Sequence, residues 1–213
     1  MPRRQRRTTA SPSAPSSARR PTRADGELRI IGGEWRSRKL RFPDAGGVRP
    51  TPARTRETLF NWLAPHLPGA ACLDLFTGSG ALGLEALSRG AASATLVDHT
   101  PALARALGDN LKALNTNRGH VVCADVVAFL QHPAEHPMDL VFLDPPFRQG
   151  WLERLLPLLA DGGWVRPGSW VYLEYESERP APTVPAGWRL HREKTAGQVT
   201  YALFRVQAAG RSE

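Results

Sequence analysis

The sequence predicts an α/β protein built on a doubly wound, mainly parallel sheet. Apolar runs of strand length alternate with stretches of helix length between residues 72 and 174, and this alternation is typical of parallel strands joined by right-handed helical crossovers. A glycine-rich turn follows the first of these strands, and several strands end in aspartate. These observations together place a ligand site at the carboxyl edge of the sheet.

Composition divides the chain into four segments. Residues 1–27 hold Arg, Pro, Ser and Thr with hardly a large apolar side chain, so we expect them to be disordered. Residues 28–66 are predicted to form a small extension, a β-hairpin followed by a helix. Residues 67–207 form the main domain, which closes with an antiparallel hairpin, and residues 208–213 form a C-terminal tail.

The positive charge of the chain is concentrated at its N-terminal end. The net charge is +8, residues 1–24 hold seven Arg and no acid, and residues 28–60 hold eight basic residues against three acidic ones. Residues 61–213 hold thirteen basic and fifteen acidic residues. This distribution predicts that one end of the protein binds a polyanion. The Arg-rich tail resembles a transit peptide in composition, but we favour a solvated tail that attracts nucleic acid non-specifically.

Other features of the composition exclude several classes of protein. No apolar run reaches the length of a membrane span, and the two cysteines, Cys72 and Cys123, have no Cys or His partner at metal-binding spacing. We interpret both as small core residues in a reducing compartment. We therefore expect a cytoplasmic protein, monomeric, without a metal and without a membrane partner.

The extension carries the candidate nucleic-acid contacts. Short strands are predicted at 28–31 and 38–42, and a helix is predicted with Thr51 as its N-cap and Pro52 in its first position. Trp35 could stack on a base, and basic side chains could bind phosphate, although a solvated hairpin is the plainer interpretation. The basic candidates are Arg36, Arg38, Lys39, Arg49, Arg54 and Arg56.

The glycine-rich turn is the candidate cofactor loop. Gly78 and Gly80 allow the backbone to approach a ligand closely, but the pattern G-x-G-x-x-G is by itself a weak signal. Asp74 interrupts an otherwise apolar strand just before the turn, with Phe76 between them. A carboxylate there suits the ammonium group of a methionine moiety and would repel a pyrophosphate. It could also cap nearby loop amides.

Two further strands end in acids. Asp98 lies 18 residues beyond Gly80, close to the spacing of a ribose-binding carboxylate. Asp125 could accept the adenine amino group, or it could cap the next helix, and the sequence favours neither. The remaining predicted elements are helices 101–115, 126–131 and 150–160, strands 138–144 and 170–174, and a hairpin of 188–194 with 199–206.

The tetrapeptide Asp144-Pro145-Pro146-Phe147 ends the apolar strand that precedes it. Consecutive prolines remove two backbone N–H donors and leave carbonyls as acceptors. A carboxylate, the Pro145 carbonyl and an aromatic ring would together suit an amino group on a planar base. Together with the acids at 74, 98 and 125, this carboxyl edge of the sheet would hold methionine, ribose and adenine moieties beside a site for an amino group.

These motifs resemble a known family. Asp74-Leu-Phe-Thr-Gly-Ser-Gly together with Asp144-Pro-Pro-Phe resembles the Rossmann-like methyltransferases that act on exocyclic amino groups. The blocks at 29–40 and 49–63 closely resemble the bacterial small-subunit ribosomal RNA guanine-N2 methyltransferase family (RsmD-like), and residues 194–201 fit its closing hairpin. The resemblance covers residues 28 to about 206. Ala53 departs from it, since such sequences often have an acid there.

The resemblance implies a Rossmann-like fold and transfer of a methyl group from S-adenosylmethionine to the N2 amino group of one guanine. The substrate would be 16S ribosomal RNA or an assembling 30S particle. A DNA adenine-N6 or cytosine-N4 methyltransferase would share the fold and the tetrapeptide. A nicotinamide-dependent oxidoreductase and a cofactor-free RNA-binding assembly factor are the remaining alternatives.

Overall fold

The computed structural model describes residues 26–45 and 50–208. The predictions for the basic tail, for Arg49 and for residues 209–213 lie outside these described residues.

The described residues form a two-stranded sheet, a seven-stranded sheet and the helices that pack on the larger sheet. The strands are β1 Gly26–Arg29, β2 Lys39–Phe42, β3 Ala71–Asp74, β4 Ser93–Asp98, β5 Gly119–Cys123, β6 Leu140–Leu143, β7 Trp170–Glu176, β8 Trp188–Ala196 and β9 Val199–Val206. The helices are α1 Ala53–Leu63, α2 Gly83–Ser88, α3 Pro101–Ala113, α4 Val126–Leu130 and α5 Trp151–Asp161.

The larger sheet confirms the predicted doubly wound topology. Its strand order is β5-β4-β3-β6-β7-β9-β8. Neighbouring strands from β5 to β7 are parallel, and β9 and β8 are added antiparallel. After β3 the chain first adds strands on one side and then returns to β6 on the other, so β3 and β6 flank the switch point. Ligands of such sheets bind at the carboxyl ends of the strands beside this point.

The sheet has an apolar core on each face. One cluster lies under α1, α2, α3 and the small hairpin, and the other lies under α4 and α5. Strand β6 is buried along its whole length because both of its faces are covered. That position explains why its sequence, Leu-Val-Phe-Leu, is a continuous apolar run rather than an alternating one.

The hairpin β1–β2 packs its apolar face on the main domain. Leu28 and Leu40 pair across the hairpin and join the cluster of α2 and α3. Trp35 is also buried there, and the Arg118 guanidinium lies 5.1 Å from its ring centre. The prediction that Trp35 stacks on a base is therefore wrong, since its ring is already covered by protein.

A buried carboxylate joins the extension to the main domain. Glu85 of α2 is fully buried. It accepts the backbone N–H groups of Ile31 at 2.9 Å and Gly32 at 2.8 Å. It also pairs with the guanidinium groups of Arg56 at 3.3 Å and Arg89 at 2.7 Å. Buried charges of this kind are stable only when each one is paired and hydrogen-bonded.

Arg56 must be removed from the candidate RNA contacts. Its side chain is 5% exposed, and besides Glu85 it donates to the backbone carbonyls of Thr51 and Arg29, each at 3.1 Å. Burial lowers the pKa of this arginine, while the neighbouring Glu85 raises it. The guanidinium is thus a structural tie between α1, the hairpin and α2.

The two cysteines have different environments. Cys72 is buried in β3, as predicted, and burial raises the pKa of its thiol. Cys123 is exposed at the end of β5, so its interpretation as a core residue is wrong. The apolar run that contains Cys123 belongs to the strand at the edge of the sheet, where one side is open to solvent.

We expect Glu85→Gln to lower the free energy of unfolding by about 3 kcal/mol, because it leaves buried guanidinium charge without its carboxylate partner. Urea denaturation followed by circular dichroism measures this loss. The matched control is Glu57→Gln on the exposed side of α1, for which we expect a change within about 0.5 kcal/mol. Equal effects of the two variants would contradict a structural role for the Glu85 network.

Candidate active site

A cavity of about 740 Å³ opens at the carboxyl ends of β3, β4 and β6. Its walls come from the loops that follow these strands and from the segment just before α1. The polar and aromatic side chains that line it are Thr51, Asp74, Phe76, Thr77, Ser79, Asp98, His99, Thr100, Asp144, Phe147 and Gln149. The cavity thus brings together residues from both of the sequence motifs that predicted a site.

Asp74 lies at the end of β3 and is buried. Its Oδ2 accepts the backbone N–H of Gly83 at 2.9 Å, so the capping of loop amides foreseen from the sequence is present. Burial, together with the negative charges of Asp144 and Asp98, raises the pKa of Asp74 to about 7, and the hydrogen bond from the Gly83 N–H acts in the opposite direction. These three carboxyl groups converge on one cavity, which favours a ligand that carries positive charge.

Asp98 lies at the end of β4 and orients the glycine-rich turn. Its Oδ2 accepts the N–H of Gly78 at 2.9 Å, and its Oδ1 accepts the N–H of Thr100 at 2.8 Å. Each carboxylate oxygen can accept a further hydrogen bond. Asp98 therefore stands at the cavity wall in a fixed orientation, with lone pairs left for hydroxyl groups of a ligand.

The two glycines of the turn have different physical reasons to be glycine. Both have positive φ, 52° at Gly78 and 86° at Gly80, which favours glycine. A Cβ atom on Gly80 would lie 2.5 Å from a methyl carbon of Leu84 and 2.8 Å from one of Leu107. Gly80 is thus required by the packing of α2 and α3 against the turn, whereas the sequence suggested only close approach to a ligand.

The carboxylate of Asp144, just after β6, is held by Thr51. The Thr51 hydroxyl donates to Asp144 Oδ2 at 3.2 Å. Burial raises the pKa of Asp144 to about 6, and the hydrogen bond from Thr51 acts in the opposite direction. The prediction of Thr51 as a helix cap is wrong, because α1 has Pro52 as its N-cap and the hydroxyl is used in the site instead.

A second buried carboxyl group, which the sequence did not predict, lies behind Asp144. Glu174 of β7 is buried and bonded to the hydroxyl of Tyr172 at 2.7 Å. Burial, together with the negative charge of Asp144, raises the pKa of Glu174 to about 8. Tyr172 is buried too, and its pKa is raised by that burial and by the neighbouring Glu174 carboxyl group. The signal available in the sequence was a glutamate inside an otherwise apolar strand, the same signal that marked Asp74.

The turn after Asp144 presents its aromatic ring outward. Pro145 is buried, whereas Pro146 and Phe147 are exposed, Phe147 by 38%. The next residue, Arg148, has a φ of 63°, and its backbone N–H donates to the Glu176 carboxylate. That bond anchors the turn to the end of β7. Phe76 also lines the cavity, and its ring packs edge-on against Trp151 with ring centres 5.3 Å apart.

Asp125 has the capping role that the sequence left open. Its side chain is exposed and accepts the N–H of Ala128 at 3.0 Å at the start of α4. Among the described residues, it lies outside the set that lines the cavity. A role in holding adenine therefore has less support than capping.

The remaining basic candidates are exposed on the extension. The side chain of Arg36 is exposed. Arg38 donates a hydrogen bond to the Ala113 carbonyl at 2.9 Å, and Lys39 forms an ion pair with Glu27 at 3.0 Å. Arg54 is exposed on the first turn of α1.

Residues 26–45 and 50–208 hold no group of three or more His, Cys, Asp or Glu side chains placed to bind a metal ion. In the same residues, every helix is too short or too polar to cross a bilayer.

The sheet order, the glycine turn after β3 and the acidic cavity at the switch point define a Rossmann-like methyltransferase. A family model described as Conserved hypothetical protein 95 matches residues 28–205. The chain thus belongs to this family, the RsmD-like family whose resemblance was noted in the sequence, and that prediction is confirmed.

Relatives and solved structures agree with this assignment. Ribosomal RNA small subunit methyltransferase D of Escherichia coli K12 is 53% identical over 188 residues, which cover 88% of this chain and 94% of that protein. Its namesake from Haemophilus influenzae is 43% identical, covering 85% of this chain and 95% of its own. The solved structure of Escherichia coli yhhF superposes with a TM-score of 0.81 at 53% identity and covers 86% of this chain and 99% of its own.

We expect Glu174→Gln to stabilise the protein increasingly as pH rises from about 5 to about 9. The pKa of Glu174 is raised from its usual 4.5 to about 8. The folded state therefore binds this proton more tightly than the unfolded state, and the parent loses stability as pH rises through this window. Glutamine does not ionise, so the variant does not lose stability in this way.

Thermal denaturation at both ends of that pH range measures the gap between variant and parent. The control is the exposed Glu135→Gln, whose gap we expect to stay constant. A gap for Glu174→Gln that stays constant or narrows with rising pH would contradict a raised pKa of Glu174 in the folded protein.

Proposed function

We propose that this methyltransferase transfers a methyl group from S-adenosylmethionine to the N2 amino group of a guanine in small-subunit (16S) ribosomal RNA. The observation that carries the proposal is the single cavity that joins Asp74 and Asp98 to the turn of Asp144. The substrate class is supported by the relatives, which are named ribosomal RNA small subunit methyltransferases.

The residues of the cavity fit S-adenosylmethionine. The cluster of carboxyl groups suits a ligand with an ammonium group and ribose hydroxyls, and it disfavours the pyrophosphate of a nicotinamide cofactor. We assign the ammonium group to Asp74, the ribose to Asp98, and the adenosyl surroundings to Phe76 and the backbone of Gly78. When bound, the cofactor supplies an electrophilic methyl group on a sulfonium.

Asp144 is the residue to which we assign the amino group of the target base. The lone pair of a guanine amino group is delocalised into the ring, so the amine is a poor nucleophile until it is positioned. Because Thr51 holds Oδ2, Oδ1 is left to accept an N–H of the amine, and the Pro145 carbonyl accepts the other. Positioning of this kind can lower a barrier by roughly 7–11 kcal/mol in favourable cases.

The charge states of Asp144 and Glu174 suit this role. With a pKa of about 6, Asp144 is mostly ionised at neutral pH, whereas Glu174, with a pKa of about 8, is mostly protonated. One negative charge thus faces the amine, and it stabilises the positive charge that develops on nitrogen. The amine proton becomes acidic only after the methyl group has been transferred, so a strong base is not required.

Phe147 provides the surface for the extruded base. Taking a base out of its stack costs a few kcal/mol, and the half-exposed ring at the mouth of the cavity can offset part of that cost by stacking. We assign first contact with RNA to the extension 28–66 through Arg36, Arg38, Lys39 and Arg54, and the chemistry to residues 67–207. A monomeric state and a cytoplasmic location stay predictions.

The test of this function is methyl transfer from labelled S-adenosylmethionine by the purified chain. We expect label in N2-methylguanosine when 16S ribosomal RNA or small-subunit particles are supplied, and none with duplex DNA. Asp144→Asn should lower transfer by at least about a thousandfold while cofactor affinity, measured by calorimetry, stays near that of the parent. Label in adenine-N6 or cytosine-N4 of DNA would favour the alternative amino-methyltransferase class.

We expect Thr51→Val to move the acid limb of the activity profile to higher pH. The hydroxyl stabilises ionised Asp144, so its loss raises the pKa of Asp144 above about 6. Transfer should therefore fall more at about pH 6 than at about pH 8. The control is Thr95→Val, in strand β4. An acid limb that stays in place would show that Thr51 does not set the charge state of Asp144.

A further inference from the structure

Strand β8 is exposed along nearly its whole length. Residues 189–196 are all exposed, whereas its neighbour β9 is mostly buried. β8 forms one edge of the large sheet and pairs only with β9 among the described strands. Its outward side chains are therefore available to a partner.

The basic residues of β8 stand on one face of the sheet. Residues directly opposite each other in an antiparallel pair point to the same face. Arg192 lies opposite Leu203, and Lys194 lies opposite Tyr201. Leu203 and Tyr201 belong to the core cluster that packs against α1. Both cations therefore project on the α1 side.

The single acid among residues 189–196 lies on the other face. Glu193 pairs with Ala202, which belongs to the opposite core cluster, and it accepts a hydrogen bond from the Tyr175 hydroxyl at 3.2 Å. Charge on the α1 side of this strand is thus of one sign.

More cations continue this surface along the sheet. Arg189 and Arg205 face each other across β8 and β9, and the Arg205 guanidinium lies 5.1 Å from the ring centre of Trp170. His66 stacks on the same Trp170 ring at 4.4 Å. The pKa of His66 is lowered by burial and by the nearby positive charges of Arg205 and His191.

These cations are not neutralised within the described part of the chain. The four basic side chains have no carboxylate within 4.0 Å among residues 26–45 and 50–208. They are Arg189, Arg192, Lys194 and Arg205. Desolvating them against a polyanion would therefore break no ion pair within that part of the chain.

The sheet register connects this surface to the active site. Leu143 pairs with Leu173, so the next residues, Asp144 and Glu174, lie at one level. Glu174 pairs with Tyr201, and Tyr201 pairs with Lys194. Lys194 therefore lies at the same level as Asp144, three strand spacings or about 14 Å away from it across the sheet. A short stretch of single-stranded RNA spans that distance.

An aromatic ring of α1 lies on the same face of the sheet as these cations. Trp62 of α1 is half-buried and stacks on Tyr201 with ring centres 5.5 Å apart. Aromatic rings beside cations are the combination that binds single-stranded nucleic acid, through stacking of bases and neutralisation of phosphates. An acidic protein segment would pair with the cations but would have no base to stack on the flat ring, so the surface favours nucleic acid.

We infer that the surface formed by Trp62 of α1 and the α1-side cations of β8 binds the single-stranded RNA next to the target guanine. Arg192 and Lys194 bind phosphates, and Trp62 stacks on a flanking base. This inference rests on the proposed function for the identity of the RNA. It adds a second contact surface, on the side of the active site where the hairpin closes the sheet.

The test is the double variant Arg192→Gln/Lys194→Gln, with RNA affinity measured by equilibrium binding over a range of salt concentrations. We expect the Kd for 16S ribosomal RNA to rise about tenfold at low salt, and the slope of log K against log salt to decrease by about 1 to 1.5, as for two lost phosphate contacts. Turnover at saturating RNA and cofactor affinity should match the parent, because neither residue touches the cavity.

The matched control is Arg154→Gln/Arg166→Gln, which removes the same charge from exposed positions of α5 and of the loop before β7, away from the extension. RNA affinity that falls equally in both variants, or in neither, would overturn the inferred RNA contact of β8. Retained RNA affinity together with loss of binding to an acidic ribosomal protein would overturn it too. Binding and transfer are read separately. If the parent chain binds RNA through these residues but transfers no methyl group, the inferred RNA contact of β8 is supported and the proposed function is overturned.

Discussion

The structure depends on one buried carboxylate. Glu85 receives two backbone N–H groups from the small hairpin and two guanidinium groups, one from Arg56 of α1 and one from Arg89, the residue just after α2. A fully buried charge is tolerated only when its partners are all in place. The position of the N-terminal extension is therefore fixed by a directional set of bonds, in addition to apolar packing, which has little directional preference.

The same set of bonds reaches the active site. Arg56 binds Glu85 and also the carbonyl of Thr51, and the Thr51 hydroxyl binds the carboxylate of Asp144. The ion pair of Glu85 with Arg56, which holds the extension in place, is thus connected through Thr51 to Asp144, the residue to which we assign the amino group. The sheet supplies the other half of the site, because its switch point brings the ends of β3 and β6 together.

Local patterns in the sequence predicted most of the sheet and the residues that line the cavity. Asp74, Asp98 and Asp144 were found because each one ends an apolar strand, and strand ends of a parallel sheet share an edge. Thr51 and Glu174 were missed because their partners are set by the tertiary fold: Thr51 and Asp144 are 93 residues apart in sequence.

Arg56 shows a different kind of error. Its charge suggested a surface contact, whereas its spacing from Leu59, Phe60 and Leu63 places it on the buried stripe of α1. Helical periodicity was the better guide at this position. The reason for burying an arginine there became visible only with Glu85, on an element 29 residues away.

The bonds made by Thr51 have a consequence for how such proteins can be rebuilt. The extension resembles a detachable module, yet its Thr51 hydroxyl donates a hydrogen bond to the Asp144 carboxylate of the candidate site. A cassette transplanted from an unrelated enzyme would have to reproduce the amides at 31 and 32, the guanidinium at 56 and the hydroxyl at 51 together. Recombination at this boundary is consequently constrained, and changes in target choice are more easily reached by substituting the outward-facing side chains.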